Sequence, residues 1–305
     1  MLRRSAVVPA LASLPLLLGA VACAPADEEP TTAADAGSDA GSDTGSEEPA
    51  AEVDPATCVT DDMLEEPGTL TVGTDSPAYE PWFADNDPTN GEGYESAVAY
   101  AVAERLGFSE DEVEWVRVPF NTSYAPGAKD FDFDINQISI TPKRAEVVDF
   151  SQGYYQAAQA VVALEGTAGA EATSLEDLAD LRLGAQTGTT SLTAIRDIID
   201  PEVEPAVFED TNAAKQALAN DQVDAVLADL PTAFYISAVE IPGSTIVGQF
   251  QPETGEQEEF GMLFEKGGEL VTCVDAALTA MEADGELADI EQEWLSDVVG
   301  VPELQ

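Results

Sequence analysis

Three short stretches hold residues whose types and spacing could do chemistry. In "ITPKRAEVVDFS", Lys143 and Arg144 stand side by side in a chain with 60 acidic and only 11 basic residues. A guanidinium offers a planar fork that fits a carboxylate through two parallel hydrogen bonds, which an ammonium cannot copy. In "QTGTT", Gly188 permits a tight turn, and Thr190 at a helix N-terminus can offer its hydroxyl and N–H to an anion. Gln186 and Thr189 share that turn. In "TDSPAYEPWF", Tyr79 and Trp82 could wall in an aliphatic stem or a cationic head, with Phe120 at another strand end; Asp75 or Glu80 could meet a basic or amide group. Each has a plainer role open to it: Arg144 in an internal salt bridge, Thr190 in a helix cap, and the aromatics in the core.

Composition narrows the chemistry. The chain has no histidine, which removes Ser-His-Asp and Cys-His catalysis and every histidine-containing zinc site. A net charge of −49 repels nucleic acid and anionic membrane surfaces. In "DFDFD", Asp130, Asp132 and Asp134 alternate, but an EF-hand needs Gly and Glu where Ile135 and Thr141 stand. The three acids are expected to share one solvated strand face. No metal and no cofactor is expected.

The elements that must position these residues alternate between strand and helix. "TLTVGTD" reads as a buried strand ending at Asp75, and "YESAVAYAVAERLG" as a helix stopped by Gly107. "VEWVRVPF" and "FDFDINQIS" read as strands. A second round runs from Ser174: "SLEDLADL" a capped helix, "RLGAQTGTT" a strand and turn, "SLTAIRDII" a helix, "PAVFED" a strand, "NAAKQALAN" a helix and "VDAVLAD" a strand ending at Asp229. Successive βα units imply two lobes with parallel-type sheets, and ligands bind beyond the carboxyl ends of such strands. Asp229 is also placed to cap the helix that starts near Leu230, with Pro231 at an early helical position.

The ends of the chain read as export and tether. Arg3 and Arg4 precede the apolar "SAVVPALASLPLLLGAVA", read as a signal peptide over residues 1–22, and then Cys23. "AVAC" resembles the lipobox of bacterial lipoproteins, which implies a lipidated Cys23; a plain secretory signal is the alternative. Residues 23–57 are rich in Asp, Glu, Gly, Ser and Ala and poor in large apolar side chains, the composition of a disordered spacer. With Cys23 used for lipid, Cys58 and Cys273 remain, and an oxidising compartment favours their pairing.

From about Gly68 to Ser296 the chain resembles the polar-amino-acid family of bacterial extracellular solute-binding proteins, family 3, which serve ABC importers. "GYESAVAYAVAERLG", "NQISITPKRAEVVDFSQGYY" and "VDAVLADLPTAFYI" carry the resemblance. The R-x-x-x-V-D-F-S tail is intact, while Ser96 and Ala97 replace an acid and an aliphatic, and Asn136 and Gln137 stand where small residues often occur. The resemblance implies that Arg144 grips a ligand's α-carboxylate with Ser139 beside it, and that Asp229 pairs with its α-ammonium. It also implies an α/β, two-lobed, type II periplasmic-binding-protein fold. Each lobe would be a mixed, mostly parallel sheet flanked by helices, with the ligand in the cleft between lobes. The expected division is 58–155 for the first lobe, 156–250 for the second, and 251–305 returning to the first. The function implied is a lipid-anchored, monomeric, non-enzymatic binding protein that passes a free polar amino acid to a permease and its ATPase. A sensor domain for a membrane receptor and a dehydratase-like enzyme on the same fold are the alternatives.

Overall fold

A computed structural model describes residues 53–251, 257–295 and 300–305. The expected signal peptide, Cys23 and most of the acidic spacer lie outside the described residues. Among the described residues, no helix is long and apolar enough to cross a membrane.

Among the described residues, ten strands form two five-stranded sheets. The first contains β1 (Leu70–Thr74), β2 (Val113–Arg117), β3 (Phe133–Asp134), β4 (Asp149–Ala157) and β10 (Glu258–Phe264), in the order β2-β1-β3-β10-β4. The second contains β5 (Gln159–Leu164), β6 (Leu183–Gln186), β7 (Ala206–Phe208), β8 (Ala225–Asp229) and β9 (Ser244–Phe250), in the order β7-β6-β8-β5-β9. In each sheet one strand opposes the rest: β10 pairs antiparallel with β3 and β4, and β5 with β8 and β9. The chain crosses from the first sheet to the second between Ala157 and Gln159, and β9 and β10 lead it back.

The helices follow the apolar pattern of the sequence. In chain order they are α1 (Pro55–Cys58), α2 (Tyr94–Arg105), α3 (Phe120–Ser123), α4 (Pro142–Ala145), α5 (Leu175–Leu178), α6 (Thr190–Ala194), α7 (Thr211–Ala219), α8 (Leu230–Tyr235), α9 (Leu270–Asp284) and α10 (Glu286–Leu295). Val98, Ala99 and Val102 of α2 pack with Cys273, Val274, Ala277 and Leu278 of α9 in the core of the first lobe. In the second lobe, α7 turns Ala214, Ala217 and Leu218 onto β5 and β8 at the i, i+3, i+4 spacing of one buried face. A disulfide joins Cys58 to Cys273, fastening the start of the folded chain to α9.

Three expectations are corrected. Phe120 does not end a strand; it opens the short helix α3 after Pro119, a residue whose fixed φ suits the entry to a helix. Asp132 and Asp134 are buried, not solvated. The Asp132 carboxylate accepts the amides of Glu65 at 2.7 Å and Thr71 at 2.6 Å, which offsets its burial. Asp134 has no partner, and desolvation raises its pKa well above the usual carboxylate range. Finally, the last residues do not return to the first lobe. Leu304 buries its side chain in the second-lobe core over Gly248, where a Cβ would come within 2.5 Å of the Leu304 side chain. Pro302 and Leu304 also exchange backbone hydrogen bonds with Gln249 of β9.

Candidate functional site

Strand ends from both sheets open into one cavity. On the first lobe, Asp75 follows β1, Tyr79 lies in the loop beyond, Phe120 opens α3, and Asn136, Gln137 and Ser139 follow β3. On the second, Gln186 ends β6, Thr189 caps α6, Thr190 begins it, and Asp229 ends β8. The sequence reading named all of these. The lobes meet here: Ser139 Oγ lies 3.3 Å from Thr190 Oγ1.

At the turn around Gly188 the second lobe packs directly on the first. The Gly188 φ of +76° favours glycine, and an added Cβ would come within 2.3 Å of the Tyr124 hydroxyl. The Gly188 carbonyl accepts a hydrogen bond from Arg144 Nη2 at 3.0 Å, and the Ser139 carbonyl accepts one from Nη1 at 2.7 Å. Arg144 is thus buried between the lobes, its guanidinium 4.8 Å from the Tyr124 ring centre and 5.6 Å from that of Phe120. Desolvation works against its charge, and Tyr124, Glu258 and Asp229 work to restore it. It stands behind the Ser139 and Phe120 walls and does not itself line the cavity, whereas Lys143 is exposed.

Trp82 likewise stands behind the wall. Its ring is fully buried against Tyr94, Tyr155 and Phe260, a packing that removes a large apolar area from water. Its indole N–H crosses the seam to Thr232 Oγ1 at 2.8 Å, and Thr232 lines the cavity. Asp229 sits at the N-cap position of α8, but its side chain makes no capping bond. Its carboxylate instead accepts the Gln159 amide at 2.8 Å. Burial, then the neighbouring Glu258 carboxylate, raises the Asp229 pKa to about 8. An ammonium there would keep the carboxylate ionised in the closed cleft.

Several contributors escape the sequence reading. Gln159 starts an otherwise apolar strand, and its amide joins Asp229 to Glu258. Glu95 is buried under the cavity floor, where Gln137 and Tyr154 donate to its carboxylate; burial raises its pKa to about 7. Gln137 holds a positive φ of 48°, which turns both its backbone N–H and its amide onto Glu95. Lys215 of α7 lines the cavity and binds Glu240. The scarcity of basic residues that singled out Arg144 applies equally to Lys215.

Comparison with known proteins identifies the family. The family model for bacterial extracellular solute-binding proteins, family 3, matches residues 70–297. The L-cystine-binding protein TcyA of Bacillus subtilis (strain 168) is 29% identical over 77% of this chain and 84% of its own. An ancestral arginine-binding protein bound to arginine is 33% identical, with a TM-score of 0.64 over 75% of this chain and 98% of its own. An ancestral amino acid-binding protein, a precursor of cyclohexadienyl dehydratase, is 30% identical, with a TM-score of 0.62 over 74% of this chain and 95% of its own. With its two mixed sheets and a cleft lined from both, the chain belongs to the bacterial extracellular solute-binding proteins, family 3.

Proposed function

We propose that this protein captures a free polar amino acid outside the cytoplasm and hands it to the permease and ATPase of an ABC importer. One observation carries the reading: the cavity joins an acid from the second lobe, Asp229, to the hydroxyls of Ser139 and Thr190 from opposite lobes, with Arg144 directly behind. An α-amino acid brings a carboxylate and an ammonium on one carbon, so it needs a donor set and a fixed anion facing each other. A ligand touching both lobes favours the closed state by its differential affinity. The lobes move as residues 58–155 with the helices α9 and α10, against 156–250 with the terminal residues 301–305. Cleavage of residues 1–22, lipidation of Cys23 and a flexible acidic spacer would hold a monomer at the outer face of the cytoplasmic membrane.

The similarity to a dehydratase precursor makes an enzyme the second reading. Of the buried carboxyls with raised pKa, Glu95 and Asp229 are both engaged by side-chain amides, Gln137 and Gln159, and Asp132 and Asp134 do not line the cavity, which fits positioning better than proton transfer. A thermal-shift screen of the twenty amino acids with ornithine and citrulline tests the main reading. A ligand at a hundredfold excess over its Kd stabilises by about 2.7 kcal/mol, or roughly 5–10 °C in midpoint. If no amino acid shifts the midpoint, the reading fails; product formed from prephenate-like acids would establish the enzyme instead.

A further inference from the structure

The cavity has a second charged end. Val226, Leu227, Ala228 and Asp229 of β8 all line it, so it runs about 10 Å along that strand at about 3.3 Å per residue. Asp229 lies at one end; at the other, Val226 packs with Ala214 of α7 and Ile236. Next to Ala214, Lys215 is nine-tenths buried, in a chain with only 11 basic residues. Its ammonium gives two hydrogen bonds to Glu240, at 2.7 and 2.9 Å, and keeps a third donor. It lies 5.1 Å from the centre of the Tyr79 ring, across the lobe seam.

Two further groups complete this end. Tyr79 lines the cavity, and its buried hydroxyl lies beside the backbone N–H groups of Thr211 and Asn212 at the start of α7 without completing a hydrogen bond of good geometry. Asp75 accepts the amides of Ser76 and Phe120, one on each oxygen, and pairs at 3.7 Å with Arg117, a largely exposed side chain; it retains lone pairs for an incoming ammonium. A lone cationic side chain suits this arrangement poorly, because the face of Tyr79 that would receive it already holds the Lys215 ammonium. Lys215 and Tyr79 offer donors to a carboxylate, while Asp75 offers an acceptor to an ammonium.

We infer that the cleft takes an amino acid whose far end is itself an α-amino acid, with Lys215 and Tyr79 receiving the second carboxylate and Asp75 the second ammonium. This rests on the amino-acid-binding reading above. A disulfide link sets two such heads with their Cα atoms about 5.5–6 Å apart, within the length of the cavity.

Calorimetry with L-cystine, its thioether-linked counterpart L-cystathionine, L-arginine, L-glutamate and L-glutamine tests the inference. The two-headed ligands are expected to bind at least tenfold more tightly than the one-headed ones. Cystathionine matching cystine would show that the two heads are read, and cystine alone binding tightly would show that the disulfide is read as well. Lys215→Met removes the charge and keeps the stem; Tyr79→Phe removes only the hydroxyl, which guards against misfolding of the first variant. Each should cut the preference for the two-headed ligand over glutamine at least fivefold. Arginine, glutamate or glutamine binding most tightly would overturn the ligand class, and an unchanged preference in both variants would overturn the role of this end. If no amino acid binds at all, the parent reading falls with it.

Discussion

Asp229 and Glu258 come from different sheets, and one side-chain amide, Gln159 Nε2, donates to both, at 2.8 and 2.9 Å. Two buried acids held by one donor leave charge unbalanced, and Arg144 is the cation that acts on Asp229. A solvated Asp229 would titrate near its ordinary 3.8, whereas in the closed, ligand-free cleft it titrates at about 8. Over that interval the closed form holds a proton that the solvated group has lost. Its contribution to stability is therefore complete below about pH 4 and is lost as pH rises through about 8.

Because ligand closes the lobes over a solvated, already ionised Asp229, and its ammonium keeps that carboxylate ionised in the closed cleft, binding near neutral pH is expected to exchange no proton at Asp229. Calorimetry in two buffers of different ionisation enthalpy should then give heats at pH 7 whose difference, if any, is the same in Asp229→Asn as in the parent. A difference that Asp229→Asn abolishes would mean that the cleft is closed, with Asp229 protonated, before ligand arrives. Glu95, with its pKa raised to about 7, gives the ligand-free protein a pH dependence of the same sign, so the Asp229→Asn comparison is needed to separate them.

Trp82 is expected to report closure. It is the tryptophan whose N–H spans the seam, to Thr232, while Trp115 and Trp294 lie against the outer parts of the first-lobe core. Opening breaks that bond and wets the indole, so ligand should shift the emission, and Trp82→Phe should remove the shift. Losing one neutral hydrogen bond should also weaken binding by about 1 kcal/mol, roughly fivefold. A full emission change surviving in Trp82→Phe would place the reporter elsewhere.

The Cys58–Cys273 bond closes a separation of 215 residues. Limiting so long a loop in the unfolded chain stabilises by about 2–4 kcal/mol in practice. Reduction, or the paired change Cys58→Ala with Cys273→Ala, should lower the thermal midpoint by roughly 5–15 °C while leaving ligand affinity within about twofold. Two free thiols in protein exported by its native host would refute the bond.

Much of the site is legible in the sequence because it lies at strand ends. Asp75, Ser139, Gln186 and Asp229 each follow or end a stretch of β-forming residues, and the parallel arrangement carries those ends to one place. What is not legible comes from contacts across the sheets. Gln159 and Glu258 sit 99 residues apart, and nothing local in either strand announces the shared amide. β3 is also harder to read than its sequence suggests. "FDFDINQIS" alternates from Phe131 to Asn136, yet only Phe133 and Asp134 pair as strand; the alternation breaks at Gln137, which turns to positive φ and directs the chain to Glu95. Trp82 illustrates a third limit: periodicity marks an aromatic as inward-facing, but not whether it faces the core or the cavity.

Arg144 gives the sharpest test of the site, because its position supports two roles. It bonds to a carbonyl on each lobe, Ser139 and Gly188, so it could act as a latch alone; its fork also retains N–H groups for a ligand carboxylate just beyond Ser139. Arg144→Ala should cost about 2–5 kcal/mol of amino-acid affinity under either role, since a buried charged contact is lost. The roles part when the ligand's α-carboxylate is converted to a carboxamide. If Arg144 reads the carboxylate, the parent protein should prefer the acid over the amide by at least tenfold, and Arg144→Ala should bind both alike. If Arg144 only latches the lobes, the variant should weaken both ligands equally and keep the parent's preference. Arg144→Lys should restore part of the preference, as an ammonium supplies charge without the fork. Lys143→Ala, changing an exposed neighbour, should shift affinity by well under about 1 kcal/mol. Calorimetry on the four proteins with one acid–amide pair, each checked for folding by circular dichroism, decides between the roles. An undiminished acid preference in Arg144→Ala would remove Arg144 from the binding site.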